Sequence, residues 1–243
     1  MFKSGLSFYL GQWERFTETL FVSSILNTIE KDSNILDVGF AGGWYLLDLI
    51  DKFNCYGLDN DPTRIDGTLF TKGEKSIKEL WYKEILSRMT YWNDSILTFN
   101  TDLKFKVVMS ISTIEHIYPT HYQNNPNFIL DADIKAIDNM KTLVEDDGIL
   151  LLTFPCGILK KECRSDNPIK DKLIEQGFVA ENRNIIYYNE ERINRIIGDW
   201  KIQNELYWGF PFYVPIEKKT VLRIKNGPST LGLCTMTLTK GNN

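Results

Sequence analysis

The residue types best suited to chemistry come together at positions 34–45, Asn-Ile-Leu-Asp-Val-Gly-Phe-Ala-Gly-Gly-Trp-Tyr. A short apolar run ends in an aspartate, and glycine and alanine follow it where the chain must turn and start a helix. Small residues let a ligand lie against the main chain, and the first turn of a helix offers N–H groups without intrahelical partners. The stretch therefore predicts a nucleotide-binding turn.

Two classes of nucleotide ligand make different demands on this turn. A dinucleotide fold needs Gly-x-Gly-x-x-Gly, and this alignment places Trp44 at the third glycine, where helix and strand must approach closely. The second pattern is an acidic residue followed by Gly-x-Gly-x-Gly. The chain meets it, with alanine in place of one glycine, at Asp37, Gly39, Ala41 and Gly43. The second pattern therefore fits better.

The two histidines of the chain, His116 and His121, both follow an apolar run at 105–111 that predicts a buried strand. Open α/β sheets bind ligands at the carboxyl edge, so both rings are expected near a bound acceptor. A histidine there can remove a proton from a hydroxyl or an amine. The alternative for each is a loop histidine with a structural role, and for His121 that alternative is favoured.

The elements that must position these residues follow from the spacing of apolar side chains. Apolar runs predict buried strands, and apolar residues at intervals of three and four predict amphipathic helices. Strands alternate with helices, which predicts an open, mostly parallel α/β sheet with helices on both faces. The predicted strands are 34–38, 55–58, 90–92, 105–111 and 149–154, and the predicted helices lie at 7–30, 43–52, within 62–89, and at 126–144.

The pattern changes after Pro155. Residues 156–187 are polar and rich in charge, and they predict a cap inserted after the fifth strand. The chain beyond the cap predicts a helix and two antiparallel strands that close the sheet edge. These elements are the helix at 189–198 and the strands at 200–208 and 231–239, with a joining turn at 225–228.

We expect a single domain, because 243 residues with 43% apolar content can bury one large core. Its predicted parts are an N-terminal helical segment (1–32), a ligand-binding core (33–155), the cap (156–187) and the closing strands (188–243).

Charge and composition argue against several classes of protein. The 28 basic and 32 acidic residues give a net charge of −4, so no overall field attracts nucleic acid. No stretch reaches the roughly 18 apolar residues of a membrane span, and the four cysteines form no Cys-x-x-Cys pair. We expect a cytoplasmic protein with reduced thiols that acts as a monomer or homodimer.

The ordered motifs from 34 to 239 resemble the class I S-adenosylmethionine-dependent methyltransferases. In that family the acidic residue of the turn lies near the methionine moiety of the cofactor, and an acidic residue ending the second strand binds the ribose hydroxyls. Asp59 occupies that place, and Asp94 matches an aspartate that contacts the adenine amino group. The resemblance implies a seven-stranded sheet with an antiparallel last strand. It implies cofactor contacts at Asp37, Gly39, Phe40, Ala41, Gly43, Asp59, Asn60, Asp94, Ser95 and Ser110.

The run from Ser110 to Ile117 resembles the exit of the family's fourth strand, where many small-molecule methyltransferases carry Glu-His beside the transferred methyl. The resemblance implies that His116 is the base and that Glu115 orients it or adds charge. Some relatives bind a divalent ion through Glu-x-x-Glu-His. Here Ser112 stands at the first position, and the two remaining ligands make a poor site. His121 with Asp131 or Asp133 could complete one, but no metal is expected.

The acceptor is less well defined by the sequence. The region from Thr153 to Gly157, with the helix that follows Tyr188, resembles methyltransferases of bacterial surface-glycan gene clusters. This favours O-methylation of a small hydroxylated acceptor, a sugar of a capsule or O-antigen. N-methylation of an amino sugar or a phosphorylated amine remains open, as does a non-catalytic relative that binds the cofactor. Basic residues between 160 and 172 either meet a phosphate or form a solvated face.

Overall fold

A computed structural model describes residues 13–40, 46–61, 77–117, 131–159, 186–209, 214–223, 225–226 and 232–241. In chain order the helices are α1 (Trp13–Leu26), α2 (Leu46–Leu49), α3 (Ile77–Arg88), α4 (Ala132–Leu143), α5 (Glu190–Ile197) and α6 (Lys218–Val221), and a 3-10 turn covers Ile114–His116. The strands are β1 (Asn34–Val38), β2 (Asn54–Asp59), β3 (Thr90–Asn93), β4 (Phe105–Ile111), β5 (Val144–Cys156), β6 (Ile158–Leu159), β7 (Lys201–Gly209), β8 (Val214–Pro215), β9 (Lys225–Asn226) and β10 (Gly232–Thr239).

The main sheet has the order β3-β2-β1-β4-β5-β10-β7-β8. The first five strands pair in parallel, and β10 lies antiparallel between β5 and β7. The predicted α/β sheet with an antiparallel last strand is therefore confirmed. The described residues add an eighth strand, because the two residues of β8 pair with the end of β7.

Helices cover both faces of the sheet, as the continuous apolar strands require. On one face, Phe21 and Leu26 of α1 pack with Ile85 of α3 against the sheet. On the other face, Ile137 of α4 and Ile193 of α5 pack against alternate strand residues. Each central strand is therefore buried on both sides, which leaves the strand ends as the surfaces available to a ligand.

Helix α5 forms where the sequence predicts a capped helix. The Asn189 side chain accepts a hydrogen bond from the Arg192 backbone N–H at the first turn, and Gly198 ends the helix with φ +57°. These are common helix-capping residues at the two ends. By contrast, the helix predicted at 126–144 begins at Ala132 within the described residues, because residues 118–130 are not among them.

The start of β5 differs from the prediction. The sequence predicts a helix up to residue 144 and a strand at 149–154, but β5 begins at Val144. Two partly buried lysines pair with the exposed acidic residues near the start of this strand, Lys106 with Asp147 at 2.6 Å and Lys240 with Asp146 at 2.8 Å. The pairing register of β4 and β5 shifts between Phe105 and Val107, which accommodates the extra residues.

The predicted turn at 225–228 also differs in part, because β9 pairs in parallel with β6 at the start of the predicted cap. Residues 160–185 and 227–231 lie outside the described residues, and the predicted division of the chain into parts stays a prediction. Tyr188, just before α5, forms an isolated bridge with Cys156 at the end of β5. No helix in the described part of the chain is long and apolar enough to cross a membrane.

Candidate active site

The carboxyl ends of β1, β2 and β4 bring several predicted site residues to one edge of the sheet. The strand order reverses at β1, with β2 on one side and β4 on the other. In open α/β sheets this switch point is where ligands bind. Asp37 is in register with Gly57 of β2 and Met109 of β4, so it lies in the middle of this edge.

Two buried carboxylates belong to this edge. Asp37 is 1% exposed and Asp59, the last residue of β2, is 7% exposed. The Asp59 carboxylate accepts a hydrogen bond from the backbone N–H of Asp61 at 2.9 Å, and Asn93 Nδ2 donates to the Asp59 carbonyl oxygen at 3.0 Å. The end of β2 is thereby fixed to the end of β3, and Asn60 is exposed beside it.

The turn after β1 depends on Gly39. Its φ is +82°, and its N–H donates to the Leu58 carbonyl oxygen at 2.7 Å. An added Cβ would lie within 2.8 Å of Thr113 Cβ, so the side chain of any other residue would collide with the loop after β4. Glycine is therefore required here by backbone conformation and by close approach.

Phe40, predicted to contact the cofactor, is 1% exposed and belongs to the hydrophobic core. Gly57 leaves the space for its ring, because a Cβ at that position would lie 2.5 Å from Phe40 Cδ1. Tyr91 of β3 packs on the ring with a centroid separation of 6.1 Å. These contacts anchor the start of the turn, whereas Ala41 and Gly43 lie outside the described residues.

Asp94 and Ser95 follow β3 and shape a tight turn. Asp94 Oδ1 accepts hydrogen bonds from the Ser95 N–H at 2.6 Å and from Thr98 Oγ1 at 3.4 Å. Ser95 Oγ accepts from the Leu97 N–H at 3.3 Å. The Asp94 side chain is exposed, so it remains accessible at the end of the strand next to β2.

The exit of β4 carries the predicted catalytic pair. Ser110 is fully buried, and its hydroxyl donates to the Val38 carbonyl oxygen at 3.3 Å, which ties β4 to β1. Glu115 is 3% exposed, whereas the His116 side chain is 54% exposed. The distance from Glu115 Oε1 to His116 Nε2 is 3.9 Å, so a buried carboxylate adjoins an accessible imidazole.

His121, which the sequence predicts at the carboxyl edge after the fourth strand, lies outside the described residues. Within the ranges given above, no group of three or more His, Cys, Asp or Glu side chains is arranged to hold a metal ion.

Glu18 of α1 is a buried polar residue at this edge that the sequence analysis did not identify. Its side chain accepts hydrogen bonds from the hydroxyls of Ser112 and Thr153, the latter at 2.5 Å, and from Arg15 Nη1 at 2.8 Å. It is 1% exposed. The sequence feature that could have identified Glu18 is its place as an acidic residue next to the apolar positions of the predicted first helix, close to Phe21.

A second buried network lies on the opposite face of the sheet. Asp133 at the start of α4 is fully buried and receives two hydrogen bonds from Arg192 of α5, with Nε at 2.8 Å, and one from the Tyr188 hydroxyl at 3.0 Å. Burial raises the pKa of the Tyr188 phenol well above its usual range, and the charges of Asp133 and Glu115 add to the rise. The Ile186 N–H donates to the Glu115 carbonyl oxygen at 3.0 Å, which connects this network to the predicted catalytic pair.

Comparison of the whole chain with known proteins gives matches in structure. No protein-family model matches the sequence, and no curated protein matches it. The N-methyltransferase NodS from Bradyrhizobium japonicum WM9, in complex with S-adenosylhomocysteine, is 14% identical with a TM-score of 0.57, over 95% of this chain and 89% of that one.

Two further structures match over most of their length. An S-adenosylmethionine-dependent methyltransferase from Clostridium acetobutylicum is 12% identical with a TM-score of 0.56, over 92% of this chain and 91% of that one. The magnesium protoporphyrin IX methyltransferase of Synechocystis PCC 6803, with bound S-adenosylmethionine, is 10% identical with a TM-score of 0.53, over 93% and 79%. At these identities the likeness concerns the architecture. The chain has the fold of the class I S-adenosylmethionine-dependent methyltransferases.

Proposed function

We propose that the chain is an S-adenosylmethionine-dependent methyltransferase that methylates a hydroxyl of a small acceptor, a sugar of a surface polysaccharide such as a capsule or O-antigen. The observation that carries the proposal is the pair of buried carboxylates, Asp37 and Asp59, on either side of the Gly39 turn at the switch point of the sheet. The methyltransferase fold of the neighbouring structures supports the choice of cofactor.

The residues present suit this cofactor chemically. A carboxylate accepts hydrogen bonds through both oxygens, so Asp59 would hold two adjacent ribose hydroxyls and Asp37 would lie near the methionine part. Asp94, exposed after β3, would accept from the adenine amino group. Gly39 has no side chain that could interfere with a ligand lying along its backbone.

Further cofactor contacts are proposed from the sequence. They are Phe40, Ala41, Gly43, Asn60, Ser95 and Ser110, of which Phe40 and Ser110 would act through the backbone because their side chains are buried.

The bound cofactor would supply a methyl group on a positively charged sulfur. His116 would take the proton of the acceptor, and its exposure leaves the ring accessible to a substrate. Glu115, whose Oε1 lies 3.9 Å from His116 Nε2, would orient the imidazole or add negative charge beside it. Positioning of the acceptor supplies most of the rate gain, and proton removal adds to it.

N-methylation of an amino sugar or a phosphorylated amine is the second candidate. The buried Glu115 favours it, because a carboxylate beside the proposed base would attract a cationic amine. The matched NodS structure is that of an N-methyltransferase.

Under either candidate we propose a cytoplasmic monomer or homodimer. The described cysteines fit a reducing compartment, because Cys55, Cys156 and Cys234 are buried and form no disulfide.

A turnover screen tests the proposal. Purified protein is incubated with S-adenosylmethionine and separate panels of nucleotide sugars, glycans and small amines, and formation of S-adenosylhomocysteine is measured. We expect turnover with a hydroxylated sugar. Turnover with amines alone would favour the second candidate, and cofactor binding without turnover in any panel would indicate a non-catalytic relative.

A further inference from the structure

We propose that Glu18 is a positioning residue that couples helix α1 to the cofactor turn, so that docking of α1 and binding of the cofactor strengthen each other. This inference rests on the proposed function, because it concerns the affinity of the same cofactor site.

The contacts of Glu18 join three separate parts of the chain. Its carboxylate accepts from Ser112 after β4, from Thr153 in β5 and from Arg15 one turn earlier in α1. A carboxylate that is 1% exposed must be hydrogen-bonded to be tolerated, and these three donors meet that need. Glu18 therefore anchors α1 to the carboxyl edge of the sheet rather than to its middle.

Glu18 also acts on the backbone of Ser112. Ser112 has φ +44°, a left-handed conformation that is unfavourable for a residue with a side chain. Its N–H donates to Thr153 Oγ1 at 2.9 Å, and the same Thr153 hydroxyl donates to Glu18. Because Glu18 holds both hydroxyls, it stabilises the sharp bend by which the chain leaves β4.

The bend leads directly to the cofactor turn. Thr113 is the next residue, and it lies so close to Gly39 that no side chain fits between them. Glu115 and His116 follow two and three residues after Thr113 in the same short segment. A change at Glu18 is thus transmitted through Ser112 and Thr113 to the glycine turn and to the catalytic pair.

The two ends of α1 are held differently. Phe21 and Leu26, in its C-terminal half, are buried in the core. Before Phe21, the side chains of Phe16 and Leu20 are 39% and 55% exposed, whereas those of Thr17 and Glu18 are buried. The segment around Glu18 is therefore the part of the helix whose docking responds to the bend after β4.

The test compares Glu18→Ala and Glu18→Gln with Ser23→Ala, a control at an exposed position of the same helix. The dissociation constant of S-adenosylhomocysteine is measured by calorimetry, and amide hydrogen exchange of α1 is measured with and without this ligand. We expect Glu18→Ala to weaken binding about tenfold or more, as is typical of coupled sites. Glu18→Gln keeps an oxygen that accepts from the two hydroxyls, so it is expected to lose less affinity for S-adenosylhomocysteine than Glu18→Ala does.

In the wild-type protein and in Ser23→Ala, the ligand should slow exchange in the N-terminal half of α1, and this effect should be absent in Glu18→Ala. A purely structural role would lower the melting temperature of the ligand-free protein but leave the dissociation constant unchanged, and that result overturns the inference. If Glu18→Ala does not fold, the dissociation constant and the hydrogen exchange of α1 are measured on Glu18→Gln and Thr153→Val instead, and the same outcomes support or overturn the inference. Failure of the wild-type protein to bind the ligand would instead refute the proposed function, and this inference with it.

Discussion

The N–H of Gly39 donates a 2.7 Å hydrogen bond to the carbonyl oxygen of Leu58, which joins the turn after β1 to the end of β2. Asp37 lies two residues before this contact, and Asp59 lies one residue after it. The bond therefore sets the relative position of the two buried carboxylates in the proposed cofactor site. The backbone at position 39 is left-handed, which glycine adopts without strain.

Replacing Gly39 by alanine is expected to destabilise the protein by about 1–3 kcal/mol, because the methyl group adds backbone strain and meets Thr113. Denaturant unfolding measures the change. Gly241→Ala is the matched control, since its added Cβ would meet no atom closer than 3.4 Å. Equal stability of the two variants would contradict the geometry assigned to the turn.

Replacing Arg192 by methionine is expected to cost about 3–5 kcal/mol of unfolding free energy, because the buried Asp133 loses its charged partner. Arg195→Ala is the control, since Arg195 is 43% exposed and its pair with Asp131 should contribute less than about 1 kcal/mol. The double variant Asp133→Leu with Arg192→Met should recover part of the loss. Similar losses for Arg192 and Arg195 would show that burial does not set the strength of this network.

His116→Ala is expected to lower kcat for an O-methyl acceptor by about 10²–10⁴-fold, because the acceptor proton would have no base. The affinity for S-adenosylhomocysteine should stay close to that of the wild type, since the exposed ring is assigned to the acceptor. Steady-state turnover and calorimetry separate the two effects. Full turnover in the variant would remove His116 from the mechanism and leave the cofactor site unaffected.

The thiol of Cys55 is expected to resist alkylation at pH 8 in the folded protein. Burial, with the nearby charge of Asp37, raises its pKa to about 12, so the reactive thiolate is scarce and shielded. Burial also raises the pKa of Cys156 and Cys234, so the same resistance is expected there. Mass spectrometry after iodoacetamide treatment, with a urea-unfolded control, tests this. Rapid labelling of Cys55 without urea would contradict its burial.

The sequence predicts the parts of the fold that depend on local pattern. The apolar run of β4 lies between Lys104 and Ser112, and that of β1 ends at Gly39, and the predicted bounds of both strands match the structure. The start of β5 could not be predicted, because Asp147 is held by Lys106, a partner 41 positions away.

Buried polar networks also cannot be predicted from the local sequence pattern. Glu18 is 94 and 135 positions away from its partners Ser112 and Thr153, and Asp133 is 59 positions away from Arg192. The sequence around each residue does not predict such contacts, because the partners are far apart in the chain and meet only when it folds. The cofactor contacts and the catalytic pair remain predictions, supported by their common place at the carboxyl edge.

The most direct test of the central claim is calorimetric titration of the wild-type protein with S-adenosylhomocysteine, alongside Asp59→Ala and the exposed control Asp102→Ala. Loss of charge-assisted hydrogen bonds to the ribose is expected to weaken binding to Asp59→Ala by about thirtyfold or more. The account predicts saturable binding to the wild type and to Asp102→Ala. Absence of binding to the wild-type protein would contradict the assignment of this edge of the sheet as a cofactor site.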